Sequence, residues 1–116
     1  MSRAGAAASP SQVIDREVRT WPGVTGHSHR FGGTEYCLGR REIGHIHGDW
    51  LADVPLPRRL RDPLVASGRA RPHHVLPDSG WVSIPIESPE GTEQALAALR
   101  LSFDLATRQR ENRRGS

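Results

Sequence analysis

The sequence predicts an α+β fold: a small antiparallel sheet of about four strands with helices packed on it, in a single domain. Three observations carry this. A length of 116 residues suits one domain. Two-residue alternation runs through 34–56 in three consecutive stretches and returns at 80–87. Apolar residues spaced as on a helix face precede, interrupt and follow those stretches.

Residues 1–10 are rich in Ala, Ser and Gly and read as a disordered tail. Ser11 can cap a helix carrying Ile14, Val18 and Trp21, which Pro22-Gly23 stops. Gly26, Gly32 and Gly33 mark a loop around "HSHRFGG". "TEYCL" (34–38), "REIGHIH" (41–47) and "WLADVPL" (50–56) read as a meander of three strands. Gly48-Asp49 fits a two-residue type II′ turn. That turn sets His47 opposite Trp50, His45 opposite Ala52 and Ile43 opposite Val54, all on one face. Ile46, Leu51, Glu42 and Asp53 then fall on the other.

Leu56, Leu60 and Leu64 mark a second helix, with Pro57 in its first turn and Gly68 at its end. Pro63 predicts a kink or restart inside it. In "GWVSIPIE" (80–87), Val82, Ile84 and Ile86 share a face, and Pro85 points to an edge or a bulge. Ser88 caps the last helix, Pro89 takes its first position, and Ala95, Leu96, Leu99, Phe103 and Ala106 form its buried stripe. The domain thus spans 11–108, followed by a flexible basic tail over 109–116.

The composition excludes several function classes. All 16 basic residues are arginine, yet the net charge is only +3, so no nucleic-acid partner is expected. Cys37 is the sole cysteine, which rules out an internal disulfide and a thiolate zinc site. Its apolar strand setting reads as a buried structural thiol. No stretch resembles a signal peptide or a membrane span, so a cytoplasmic protein without membrane contact is expected. No phosphate-binding glycine loop, G-x-S-x-G elbow or H-E-x-x-H is present.

The chemistry lies in the histidines. In "HIHGDW" (45–50), His45 and His47 project from one strand face, roughly 7 Å apart. In "PHHVLPDSGW" (72–81), His73 and His74 stand on a segment stiffened by Pro72 and Pro77. The two stretches are expected to meet and line one pocket. Half-exposed polar residues with backbone partners are the plainer reading of such strand histidines. His27 and His29 read as surface residues of the glycine loop. Trp50 and Trp81 fit either a core or the walls of a pocket for a flat ligand. Asp49 is assigned to the turn, and Asp53 to pairing with an arginine.

The run "LGRREIGHIHGDWLADVPLPRRLRDPLVASGRARPHHVLPDSGWVSIPI", with "LRLSFDLA" after it, resembles the luciferase domain family. "GHIHG" and "PHHVLPDSGW" are its most telling parts, and the likeness covers roughly 24–107. Pro63 and Pro85 stand where other residues are expected in that family. Fungal members oxidise a hydroxylated styryl-pyrone with molecular oxygen, without an organic cofactor. The resemblance therefore implies a candidate oxidoreductase that binds a planar, electron-rich small molecule, with no cofactor and no metal ligand assigned. His45, His47 and His74 are the catalytic candidates, as base and orienting groups. Trp50, His73, Ser79 and Trp81 are the substrate-binding candidates. Two other readings stand beside it. One is a metal site of two strand histidines and one loop histidine. The other is a non-enzymatic interaction module.

Overall fold

The computed structural model describes residues 8–29 and 32–114. Its elements run α1 (Pro10–Val18), β1 (Val24–Ser28), β2 (Thr34–Leu38), β3 (Arg41–His47), β4 (Leu51–Pro55), α2 (Arg58–Ala66), β5 (Arg71–Pro72), β6 (Trp81–Pro85) and α3 (Pro89–Arg114). The strands form one antiparallel sheet in the order β1-β2-β3-β4-β6-β5. The α+β class and the central meander match the sequence reading, but the sheet has six strands rather than about four. The two additional strands are its edges. Most of β1 is exposed and β5 is two exposed residues, so neither buries enough to leave an alternating pattern.

Helix α1 starts earlier than expected, because Ser9 rather than Ser11 is its cap. The Ser9 hydroxyl accepts from the Gln12 amide at 3.3 Å, and the Gln12 side chain accepts from the Ser9 amide at 2.9 Å. The rest of the expected tail, residues 1–7, lies outside the described residues. The Ser11 amide instead donates to Asp49 at 2.8 Å and ties α1 to the β3–β4 turn.

Pro63 does not restart α2, which runs through it as one element. Its ring forfeits one backbone bond, toward the carbonyl of Arg59; both residues are exposed, so water can take that carbonyl. Gly68, at φ +78°, then ends the helix, with the amides of Gly68 and Arg69 closing on the carbonyls of Val65 and Leu64. Pro85 is tolerated in β6 for a related reason. The Ile86 amide bonds the Trp50 carbonyl on the β4 side. The nitrogen of Pro85 therefore faces the other side, past the end of β5, which pairs only with Ser83 and Val82. Ser88 caps α3 as expected, accepting from the Gly91 amide at 2.9 Å. Of residues 109–116, expected as a tail, 109–114 continue α3, and 115–116 lie outside the described residues.

Helices α1 and α3 cover one face of the sheet. Ile14 and Val18 of α1 meet Leu99, Phe103 and Ala106 of α3 over Tyr36, Ile43, Ile46, Val54, Val82 and Ile84. No described helix is long and apolar enough to cross a membrane. The opposite sheet face carries no helix from this pair and holds the polar residues.

Candidate functional site

The turn between β3 and β4 sets the site, and it is longer than expected. Gly48, Asp49 and Trp50 form it, so His47 pairs with Leu51, Ile46 with Ala52 and His45 with Asp53. The two-residue turn is thereby corrected by one position. Burial explains the outcome: the shorter turn would send Asp53 into the helix layer and Ala52 and Val54 out of it. In the observed register Ala52 and Val54 are fully buried, and Asp53 joins His45 and His47 on the other face.

A β-bulge brings in one more carboxylate. Tyr36 pairs with Gly44 but Cys37 with Glu42, leaving Ile43 as the extra residue of β3. Ile43 is buried against the helices rather than sharing the histidine face as expected. Glu42 and His45, three apart, thereby lie on one side of the sheet. The His45 Nδ1–H donates to Glu42 Oε2 at 2.5 Å.

Around Asp53 the two histidine stretches meet, as the sequence predicts; the rings of His47 and His74 are 6.2 Å apart. Asp53 Oδ2 has four ring nitrogens about it: Nε2 of His47 at 2.7 Å, His45 at 3.3 Å, His74 at 3.4 Å and His73 at 3.5 Å. Its other oxygen accepts from the Ser83 hydroxyl at 2.6 Å. The carboxylate is only 1% exposed. One carboxylate oxygen offers two lone-pair directions, so four nitrogens exceed what it can serve as an acceptor.

The nitrogens are not equivalent. His73 Nδ1 accepts from the amides of Val75 and Leu76, both at 3.1 Å. Its proton therefore sits on Nε2, and Nε2 has no lone pair to offer. His45 is the reverse case: Glu42 holds the proton on Nδ1 and directs Nε2 at Asp53. A carboxylate behind an imidazole is how proteins orient a histidine toward a metal. Among the described residues, two groups place ligand atoms within 4.8 Å of one another: His45, His47 and Asp53, and Asp53, His73 and His74. The tautomer of His73 removes the second group and leaves the first.

Charge follows the same geometry. Burial alone would lower the His45 pKa, but Asp53 and Glu42 outweigh it and push it up to about 9. Burial alone would raise the Asp53 carboxyl, yet bonds from His45, Ser83 and His47 hold it well below the usual range. Burial lowers His73. For the metal-free protein this gives a signed expectation. A raised histidine stabilises fully below its unfolded value of about 6.5 and loses that contribution as pH rises through about 9. Stability in denaturant melts should fall across that window by on the order of 3 kcal/mol. A flat profile from pH 6.5 to 9 would show that His45 is not held as an imidazolium.

The remaining candidates fall at different distances. Trp81 lines the pocket with its ring 5.6 Å from that of His45. Trp50 is in the turn and over half exposed, a rim residue 5.7 Å from the His47 ring. Ser79 is not in the pocket wall; its hydroxyl donates to the Leu76 carbonyl and accepts from the Trp81 amide, closing the loop. His29, expected on the surface, stacks on His45 at 4.5 Å. His27 lies apart, bonded to Thr25 at 2.9 Å. Asp53 pairs with histidines, not an arginine, and with Glu42 and Ser83 was not among the expected site residues. The one-residue error in register hid Asp53, and the bulge hid Glu42. Cys37 is buried as expected; it donates to Glu35, and burial and that carboxylate push its thiol up to about 11.

The cavity over this cluster is about 410 Å³, with Val75, Leu76 and Trp81 among its walls. No curated protein and no solved structure matches the chain. Residues 40–102, more than half of the 116, match the Luciferase domain. The matched stretch contains Glu42, His45, His47, Asp53, His73, His74 and Ser83, the whole cluster apart from His29. The chain belongs to the Luciferase domain family.

Proposed function

We propose that His45, His47 and Asp53 hold a divalent transition metal, and that the protein is a metal-dependent oxygenase of a small planar molecule bound over that ion. One observation carries the reading: two imidazoles and one buried carboxylate converge from adjacent strands, with Glu42 fixing the ring of His45 from behind. In a tetrahedral site with bonds near 2.0–2.1 Å, ligand atoms stand about 3.3 Å apart. The His45 nitrogen lies 3.3 Å from Asp53 Oδ2, at that spacing; the His47 nitrogen, at 2.7 Å, stands at hydrogen-bond distance and would draw back to take an ion. A two-histidine, one-carboxylate set leaves positions open and suits iron(II) that binds oxygen. The family likeness supplies the oxygen chemistry, and the apolar walls suit a flat ligand. Compared with the metal-free base mechanism, this reading accounts for the excess of nitrogens around a single oxygen.

The test is metal uptake by untagged protein. Anaerobic iron(II) or cobalt(II), followed by gel filtration and elemental analysis, should give one ion per chain. His45→Ala and His47→Ala should each lose it, while His27→Ala retains it. Wild-type protein that leaves the column metal-free would return the cluster to a purely organic, acid–base pocket.

A further inference from the structure

We infer that His73 is not a ligand of the ion but the hydrogen-bond donor to the group that fills its open position, and that this group binds through an oxyanion. The inference rests on the metal reading above and specifies its exogenous ligand. Three observations carry it. First, two backbone amides occupy His73 Nδ1, so the ring presents an N–H and nothing else to the site. Second, that N–H is under-used. It stands 3.5 Å from Asp53 Oδ2, beyond the 2.7–3.2 Å of a good bond. Once an ion takes Asp53, the nitrogen still points into the same space, within reach of a group bound beside that oxygen. Third, the donor is rigid and nine-tenths buried. The ring stacks on His74 at 4.4 Å and meets the edge of Trp81 at 5.8 Å, so it cannot turn away without breaking both contacts and both amide bonds.

A fixed donor selects what it faces. A metal-bound oxygen anion keeps lone pairs to accept the bond, so carboxylates, enolates and phenolates gain by it. A group bound through a nitrogen with no spare lone pair does not. His73 thus acts as an oxyanion donor beside the ion, the role that fixed N–H groups play where negative charge gathers.

Cobalt(II)-loaded protein provides the test, with acetate as the oxygen probe and thiocyanate, bound through nitrogen, as the other. His73→Asn keeps an acceptor near the Nδ1 position for the two amides and removes the Nε2–H. The variant should still take up one cobalt, bind acetate at least about tenfold more weakly, and bind thiocyanate within about twofold of wild type. Unchanged acetate affinity overturns the inference. So does loss of cobalt by the folded variant, which would make His73 a ligand. Wild-type protein that takes up no cobalt overturns the metal reading itself, and this inference with it. If the variant does not fold, wild-type protein loaded with cadmium-113 decides. Coupling of the metal to Nε2 of His45 and His47, with a proton on Nε2 of His73, supports the donor role; coupling to His73 overturns it.

Discussion

Asp53→Asn is expected to end stoichiometric metal uptake. The substitution keeps the shape and a partner for Ser83, but removes the one anion that His45 and His47 share. What remains is two imidazoles and an amide, a neutral set. Loss of a supporting residue around a metal typically lowers affinity 10–100-fold, and loss of a charged ligand exceeds that. The affinity for cobalt(II), measured by calorimetry, should therefore drop by at least about 100-fold. A thermal melt checks that the variant is folded. Retention of wild-type affinity in a folded Asp53→Asn protein would show that the carboxylate is not a ligand.

Phe103→Ala is the largest loss expected in the core. The ring is 5% exposed and meets Trp21 at 5.4 Å, and the Arg100 guanidinium lies over both rings, 5.0 Å from Phe103 and 5.2 Å from Trp21. Truncation leaves a cavity between α1 and α3 that neither helix can fill without losing its grip on the sheet. The destabilisation should be roughly 3–5 kcal/mol in denaturant melts. A loss below about 1 kcal/mol would mean that the interface collapses around the missing ring. Metal affinity of the folded fraction should stay as in wild type, because Phe103 lies in the helix layer behind the sheet.

Legibility in the sequence followed turn signals and burial. The bounds of β2 and β3 were readable to the residue, because glycines bracket them: Gly33 and Gly39 around β2, and Gly48 after β3. The stripe Ala95, Leu96, Leu99, Phe103 and Ala106 was readable from its helical spacing; four of the five are buried and Leu96 is half-buried. β1 and β5 bury too little to show a period. The histidine stretches could be expected to meet because both belong to one sheet and the family resemblance favours the same end of it; strand order itself is not in the sequence. What they meet around could not be read. Asp53 changes face with a single residue of turn length, and a Gly-Asp-Trp sequence does not announce three turn residues rather than two. Glu42 reaches His45 only because Ile43 bulges, and an i, i+3 pair in a strand otherwise lies on opposite sides. His73 is distinguished from its neighbour by two amides of its own loop, a bond pattern with no counterpart in residue order.

The one-sided placement of α1 and α3 has a consequence for how such a protein can diverge. Every residue of the cluster sits on the sheet face away from the helices that make the core. Glu42, His45, His47, Asp53 and Ser83 face away from the strand residues that hold the fold, Glu42 through the bulge at Ile43, and the others stand on loops. Mutation can therefore rewrite the chemistry without reopening the packing problem. Descendants of one ancestor could exchange a site residue or recruit another small molecule while inheriting the same core. The reverse also holds: a lineage that drifts in its helices keeps its chemistry as long as the hairpin keeps its three-residue turn. The strand pair is the hinge of that independence, and a single insertion or deletion between His47 and Leu51 is the change that would couple the two histories again.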